Sequence, residues 1–157
     1  MVLKLNRRHI ELIREHGARD YPNECCGILL GHAEGDEKQV FEVVALKNLR
    51  LLPDKAQQVT PLASPASESA RNGYLIDPTE QLRVEKDARV RGLDVLGYYH
   101  SHPDHPARPS SYDREHGWPW YSYVIVSVEA GQPRELISWV LPADSSRFNP
   151  EQLEITE

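Results

Sequence analysis

Residues 97–113 read GYYHSHPDHPARPSSYD, and the rest of the chain organises itself around them. Just upstream, LDVLGYY from Leu93 to Tyr99 is apolar and β-branched and predicts a strand that runs straight into the histidines. If His100 and His102 continue that strand, its period of two puts both imidazoles on one face, their bases about 7 Å apart. Ser101 then points the other way. Pro103, Pro106 and Pro109 forbid a regular helix or central strand and stiffen a short excursion. Ser110 has the position of a helix N-cap, which places Asp113 at the third helical position, facing back towards the strand end.

Two imidazoles and one carboxylate leave the fourth position of a tetrahedron open for water. Catalytic zinc sites have that arrangement, whereas structural sites close all four positions with protein ligands, commonly thiolates. Water activated in this way still needs a base that passes its proton on, and a carboxylate outside the ligand set suits the task. Glu24 is the candidate, because PNECCG puts it at the start of a buried strand, where a polar side chain reaches a cleft. Plainer readings exist for each residue alone. Alternating histidines are commonly surface or hydrogen-bonded groups, Ser110 and Asp113 make an ordinary capping box, and Glu24 is an ordinary solvated acid. His105 reads as a loop residue, Asp104 has no geometric claim, and Tyr98 reads as cleft wall or core.

Working outward, residues 6–19 place Ile10, Leu12 and Ile13 among charges, with Asn6 as cap and Gly17 near the end, and predict an amphipathic helix. The run CCGILLGH after Pro22 predicts a buried strand, and KQVFEVVAL (38–46) a second one across the turn AEGDE. Residues 48–73 lose all periodicity and predict a long loop. Asp77, Pro78 and Glu80 then form a helix start, with a capping box, for a helix over 78–91 that Gly92 ends. WYSYVIVSV (120–128) and RELISWVL (134–141) predict a hairpin across Gly131 and Pro133, and the tail after Pro150 a short edge strand. Strands interleaved with helices imply one α/β domain over 1–157, a mixed sheet flanked by helices.

Eighteen basic against twenty-four acidic side chains give a formal charge of −6, which argues against nucleic acid and anionic membranes as partners. The first residues carry charges every few positions and lack the apolar run of a signal peptide or spanning helix, so a cytoplasmic protein is expected. The only two cysteines, Cys25 and Cys26, are adjacent, and strand neighbours point to opposite faces. They are expected to be buried, reduced thiols rather than a disulfide or a metal-binding pair.

The full string HxHPxxxxxPSxxD, with His100, His102, Pro103, Pro109, Ser110 and Asp113 in register and PNECCG upstream, resembles the JAMM (MPN+) metalloprotease family. GILLG at 27–31, LIDP at 75–78 and GYYHSHP at 97–103 are similar to its small prokaryotic members. The resemblance implies a cytidine deaminase-like mixed sheet and one zinc ion per chain held by His100, His102 and Asp113. It implies Glu24 as general base and Ser110 as oxyanion stabiliser. It also implies a substrate, the amide or isopeptide bond after the C-terminal Gly-Gly tail of a ubiquitin-like or sulfur-carrier protein. Deamination is disfavoured, because the two cysteines are adjacent and the chain lacks a spaced cysteine pair. A metal-dependent phosphoesterase would need more ligands than can be placed here. A non-catalytic scaffold of the same fold would be expected to lack the ligands.

Overall fold

The computed structural model describes residues 1–51, 74–144 and 147–157. The chain opens with a strand that the sequence reading did not contain, β1 (Val2–Asn6), whose Leu3 and Leu5 are fully buried while their neighbours are half-buried. Asn6 ends it and caps α1 (Arg7–Asp20): its side chain accepts from the His9 amide at 2.8 Å, and the His9 ring accepts from the Asn6 amide at 3.2 Å. This is a capping box with histidine in the usual place of an acid. Gly17 does not end the helix. A Cβ there would stand 3.0 Å from the Val128 side chain, so the residue permits a close approach of helix to sheet.

Strands β2 (Cys26–Glu34) and β3 (Glu37–Leu46) form the expected hairpin. A 3-10 turn, Leu49–Leu51, follows, so the predicted loop is ordered at its start, and its residues 52–73 lie outside the described ones. Helix α2 (Pro78–Val90) begins where expected, with the Asp77 carboxylate accepting from the Thr79 amide at 2.9 Å and Gly92 at positive φ just beyond its end. Glu80 faces Arg83 at 3.9 Å instead of completing a box with Asp77. Then come β4 (Asp94–Pro103), α3 (Ser111–His116), β5 (Ser122–Glu129), β6 (Gln132–Val140) and β7 (Asn149–Thr156).

The strands run β1-β3-β2-β4-β5-β6-β7, and β7 pairs in parallel with β1, so the mixed sheet closes on itself. The expected short edge strand at the tail is therefore overturned: β7 is eight residues long and is paired on both sides. Closure removes the free edges that the strands would otherwise expose. One core packs Ile10 and Ile13 of α1 against Cys25, Leu29, Tyr99 and Val124. A second packs Val84 and Ala88 of α2 against Cys26, Ile28 and Leu30. The sheet thus carries helices on both faces, and the two free, buried cysteines take opposite sides of it. Among the described residues, no helix is long and apolar enough to cross a membrane.

Candidate metal centre

The side chains of the opening motif converge at the C-terminal end of β4. His100 pairs with Ile125 and His102 with Ser127 across the parallel β4/β5 ladder, so both rings leave the same face, as the period of two requires. Their Nε2 atoms stand 3.1 Å apart. Asp113 arrives from α3, held by a capping box in which Ser110 Oγ accepts from the Asp113 amide at 3.1 Å and Asp113 Oδ2 accepts from the Ser110 amide at 2.8 Å. The same oxygen lies 3.2 Å from His100 Nε2 and 3.1 Å from His102 Nε2.

Three donor atoms at the corners of a nearly equilateral triangle fit a zinc ion. Zinc bonds of about 2.0–2.1 Å in a tetrahedron set neighbouring ligand atoms about 3.3 Å apart. The hydrogen bonding of the His102 ring agrees with this. His102 Nδ1 donates to the Pro106 carbonyl at 2.9 Å, and the neutral tautomer that does so leaves Nε2 as a bare lone pair. The prolines therefore do more than return the chain, since the Pro106 carbonyl orients the His102 ring. Tyr74 stacks on the His100 ring at 4.7 Å and walls off its outer face.

Glu24 is 5% exposed, and its carboxylate shares with the two imidazole nitrogens a group in which every pair lies within 4.8 Å. Asp113 Oδ2 makes the tighter triangle with the two imidazole nitrogens, and the Glu24 carboxylate stands within 4.8 Å of both of them. Its placement rests on two residues that sequence reasoning missed. Asn48 is fully buried and donates from Nδ2 to the Glu24 carbonyl at 3.0 Å, while its Oδ1 accepts from the amides of Arg50 and Leu75 at 3.0 and 3.1 Å. On the other side, Ser101 Oγ accepts from the Cys25 amide at 2.8 Å. The residue between the two histidines thus points away from them and fixes the segment that carries the acid.

Burial raises the Glu24 carboxyl well above its ordinary range, the Asp113 charge raises it further, and the positive charge of Arg50 opposes both. Burial also acts on Asp113, but the two imidazoles outweigh it and hold that carboxylate well below its usual range. His100 is lowered by burial, with Asp113 working against the shift. The two acids are thus pushed apart, Asp113 towards its ionised form and Glu24 towards its protonated one.

Asp104, at φ 58°, ties the excursion to the β5/β6 hairpin by accepting from Tyr21 Oη at 2.6 Å and the Ala130 amide at 2.8 Å. His105 is exposed, with its carbonyl accepting from Ser127 Oγ at 2.8 Å. Tyr98 lines a cavity of about 230 Å³ beside the centre, with Tyr74, Tyr112, Trp118 and Tyr123 among its other walls.

Residues 6–142 match the family model of prokaryotic homologs of the JAB domain. The chain is 34% identical to a desampylase of Haloferax volcanii over 73% of its length and 69% of the relative's. It is 33% identical to a probable TtuB-protein conjugate cleaving protease of Thermus thermophilus over 75% of its length and 66% of the relative's. A Desulfitobacterium hafniense protein solved in solution is 32% identical and superposes with a TM-score of 0.74, over all of this chain and 94% of the other.

Proposed function

The chain belongs to the prokaryotic homologs of the JAB domain and is a hydrolytic metallopeptidase of that family, and we propose that it cleaves the amide bond after a Gly-Gly tail of a ubiquitin-like or sulfur-carrier protein. The observation that supports this reading most is the triangle of donors at 3.1–3.2 Å with a second, buried carboxylate beside it. The names of the relatives, a desampylase and a protease that cleaves protein conjugates, favour the same bond type.

His100, His102 and Asp113 would hold one zinc ion, which supplies Lewis-acid chemistry for water and for the scissile carbonyl. Glu24 takes a proton from the attacking water as its oxygen bonds to the carbonyl carbon. It then delivers that proton to the departing nitrogen as the C–N bond breaks, leaving a carboxylate and an amine. A carboxyl raised by burial is suited to both halves of the transfer. Ser110 Oγ uses a lone pair for the Asp113 amide and keeps its proton for the oxyanion, so one hydroxyl is cap and donor at once. A scaffold reading has no use for a complete donor set. A phosphoesterase with several metals would need a further cluster, and the described residues form a single group.

The test is a ubiquitin-like protein whose Gly-Gly tail is extended through an amide, incubated with the zinc-loaded protein and read by mass spectrometry. Cleavage after the second glycine is expected, with loss on chelation and recovery on adding zinc. An intact conjugate in the presence of stoichiometric bound zinc overturns the reading.

A further inference from the structure

Helix α3 is six residues long and none of them is fully buried, so apolar packing does not hold it against the sheet. A helix this short is marginal by itself. It nevertheless carries Asp113, one corner of the donor triangle. Among the described residues, Tyr112 is its other side chain with a hydrogen bond outside the helix: the hydroxyl donates to the Tyr74 carbonyl at 3.0 Å. The Tyr112 ring faces the Arg50 guanidinium at 5.6 Å and stacks on His116 at 4.1 Å. It also borders the cavity of about 230 Å³, so packing leaves the ring room and the hydroxyl bond decides where it sits.

The acceptor is fixed from the opposite side. Leu75, next to Tyr74, donates its amide to Asn48 Oδ1 at 3.1 Å and accepts from the Leu49 amide at 2.7 Å. Asn48 is the side chain that holds the Glu24 carbonyl. The Tyr74 ring lies against His100 at 4.7 Å, tilted by 28°. Tyr74 and Leu75 therefore meet the segment of Glu24, the ring of His100 and, through Tyr112, the helix of Asp113.

We propose that Tyr112 is a positioning residue, whose hydroxyl ties α3 to this segment and so keeps the Asp113 carboxylate beside the two imidazoles, ready for a divalent cation. The inference rests on the metal reading given above. A carboxylate held in place before the cation arrives loses less freedom on binding, so the tie acts on affinity. Phenylalanine at 112 would fill the same space and keep both ring contacts, and what it lacks is the tie.

The experiment titrates the metal-free protein with zinc in competition with a chromophoric chelator, a readout in which no carrier is cleaved. Tyr112→Phe should bind zinc about 10- to 100-fold more weakly than the wild type, the usual effect of losing a group that orients a ligand. Asp113→Ala should also bind more weakly, and adding Tyr112→Phe to it should change the affinity no further, because no carboxylate is left to position. The urea midpoint separates positioning from folding: Tyr112→Phe should lower it more in the zinc-loaded protein than in the metal-free one. Equal zinc affinity in the wild type and Tyr112→Phe overturns the inference and leaves the metal centre intact. So does a loss that recurs in full on the Asp113→Ala background, and so does a midpoint that falls equally with and without zinc. Zinc bound by neither protein overturns the inference together with the reading it rests on.

Discussion

Lys38, Ser122, Ser138 and Glu151 come together from β3, β5, β6 and β7, just as His100, His102, Asp113 and Glu24 come together from β4, α3 and the segment before β2. Both groups are buried and polar, but their partners are arranged differently. Lys38 Nζ donates to the Trp120 carbonyl and to Ser122 Oγ at 2.9 Å and lies 3.8 Å from Glu151. Glu151 Oε1 accepts from Ser122 Oγ at 2.7 Å and from Ser138 Oγ at 2.8 Å. One cation, one anion and the hydroxyls between them pair, although Glu151 Oε2 meets Lys38 only as an ion pair and accepts no hydrogen bond among the described residues, and the cluster ties together strands that close the sheet. At the other cluster Asp113 Oδ2 and the Nε2 atoms of two imidazoles share one small space, and His100 Nδ1 is buried without a hydrogen-bond partner among the described residues. A cluster of opposite charges supports the fold, and one that gathers imidazole and carboxylate atoms offers a place for a cation.

The sharpest way to break this contrast is to remove one member from each cluster. His102→Ala should abolish both zinc retention and hydrolysis. Glu24→Gln should keep zinc, measured by metal analysis, and lose about 10²–10⁴-fold in kcat. If Glu24→Gln also emptied the centre, Glu24 would belong to the ligand set and the base would have to be sought elsewhere. In the Lys38 cluster, Lys38→Met strands a buried carboxylate and should cost about 3–5 kcal/mol in urea unfolding, with zinc stoichiometry unchanged. Replacing Glu151 by Leu in the same chain should return most of that loss, since no charge is then left without its partner. A double variant no more stable than the single one would show that the hydroxyl network, and not the ion pair, carries the closure.

The two clusters were also unequally legible in the sequence. His100, His102, Ser110 and Asp113 obey local rules, strand alternation and a helix cap, which hold whatever the rest of the chain does. Asn6 and Asp77 were visible for the same reason. Lys38 read only as the charged start of a strand, because its partners lie 84 and 113 residues away and only the closed sheet brings them near. Strand β1 was too short to show a period beside a helix, and β7 looked like an edge because its second neighbour is β1. Asn48, Ser101 and Arg50 carry no spacing signal at all, since each acts through a contact set by register. Glu24 was visible as an acid at the head of a buried strand, and what holds that segment in place is the work of those hidden neighbours.

Ser110 joins the local and the chemical readings, which makes its replacement a smaller but sharper test. Ser110→Ala removes the cap of α3 and should cost about 1 kcal/mol of stability. If the hydroxyl also donates to the oxyanion, kcat should fall about 10²–10³-fold with zinc still bound. Ser110→Asp restores a capping oxygen without a proton to donate. It should recover stability but not rate, and recovery of both would reduce Ser110 to a cap.

The smallest expected effect is in pH, where the clusters respond at opposite ends of the scale. Burial lowers His100 from its ordinary value of 6.5, against the pull of Asp113, so its neutral, metal-binding form persists into more acid solution. Zinc loss on acid dialysis should therefore begin below pH 6.5. Burial likewise lowers Lys38 from 10.5, with Glu151 opposing. A base whose folded pKa is depressed binds its proton more weakly in the folded chain than in the unfolded one. Stability from this group is then present above 10.5 and lost as pH falls through the folded value. Cys25, raised by burial from 9.0 to about 12, acts in the reverse sense, because the unfolded chain releases its proton first and stability declines as pH rises above 9. The wild-type curve mixes the two slopes, so the Lys38 part is read as the wild type minus Lys38→Met in urea midpoints between pH 8 and pH 10.5. That difference should grow with pH in favour of the wild type, and a flat difference would mean that Glu151 and the surrounding hydroxyls cancel the cost of burying the ammonium.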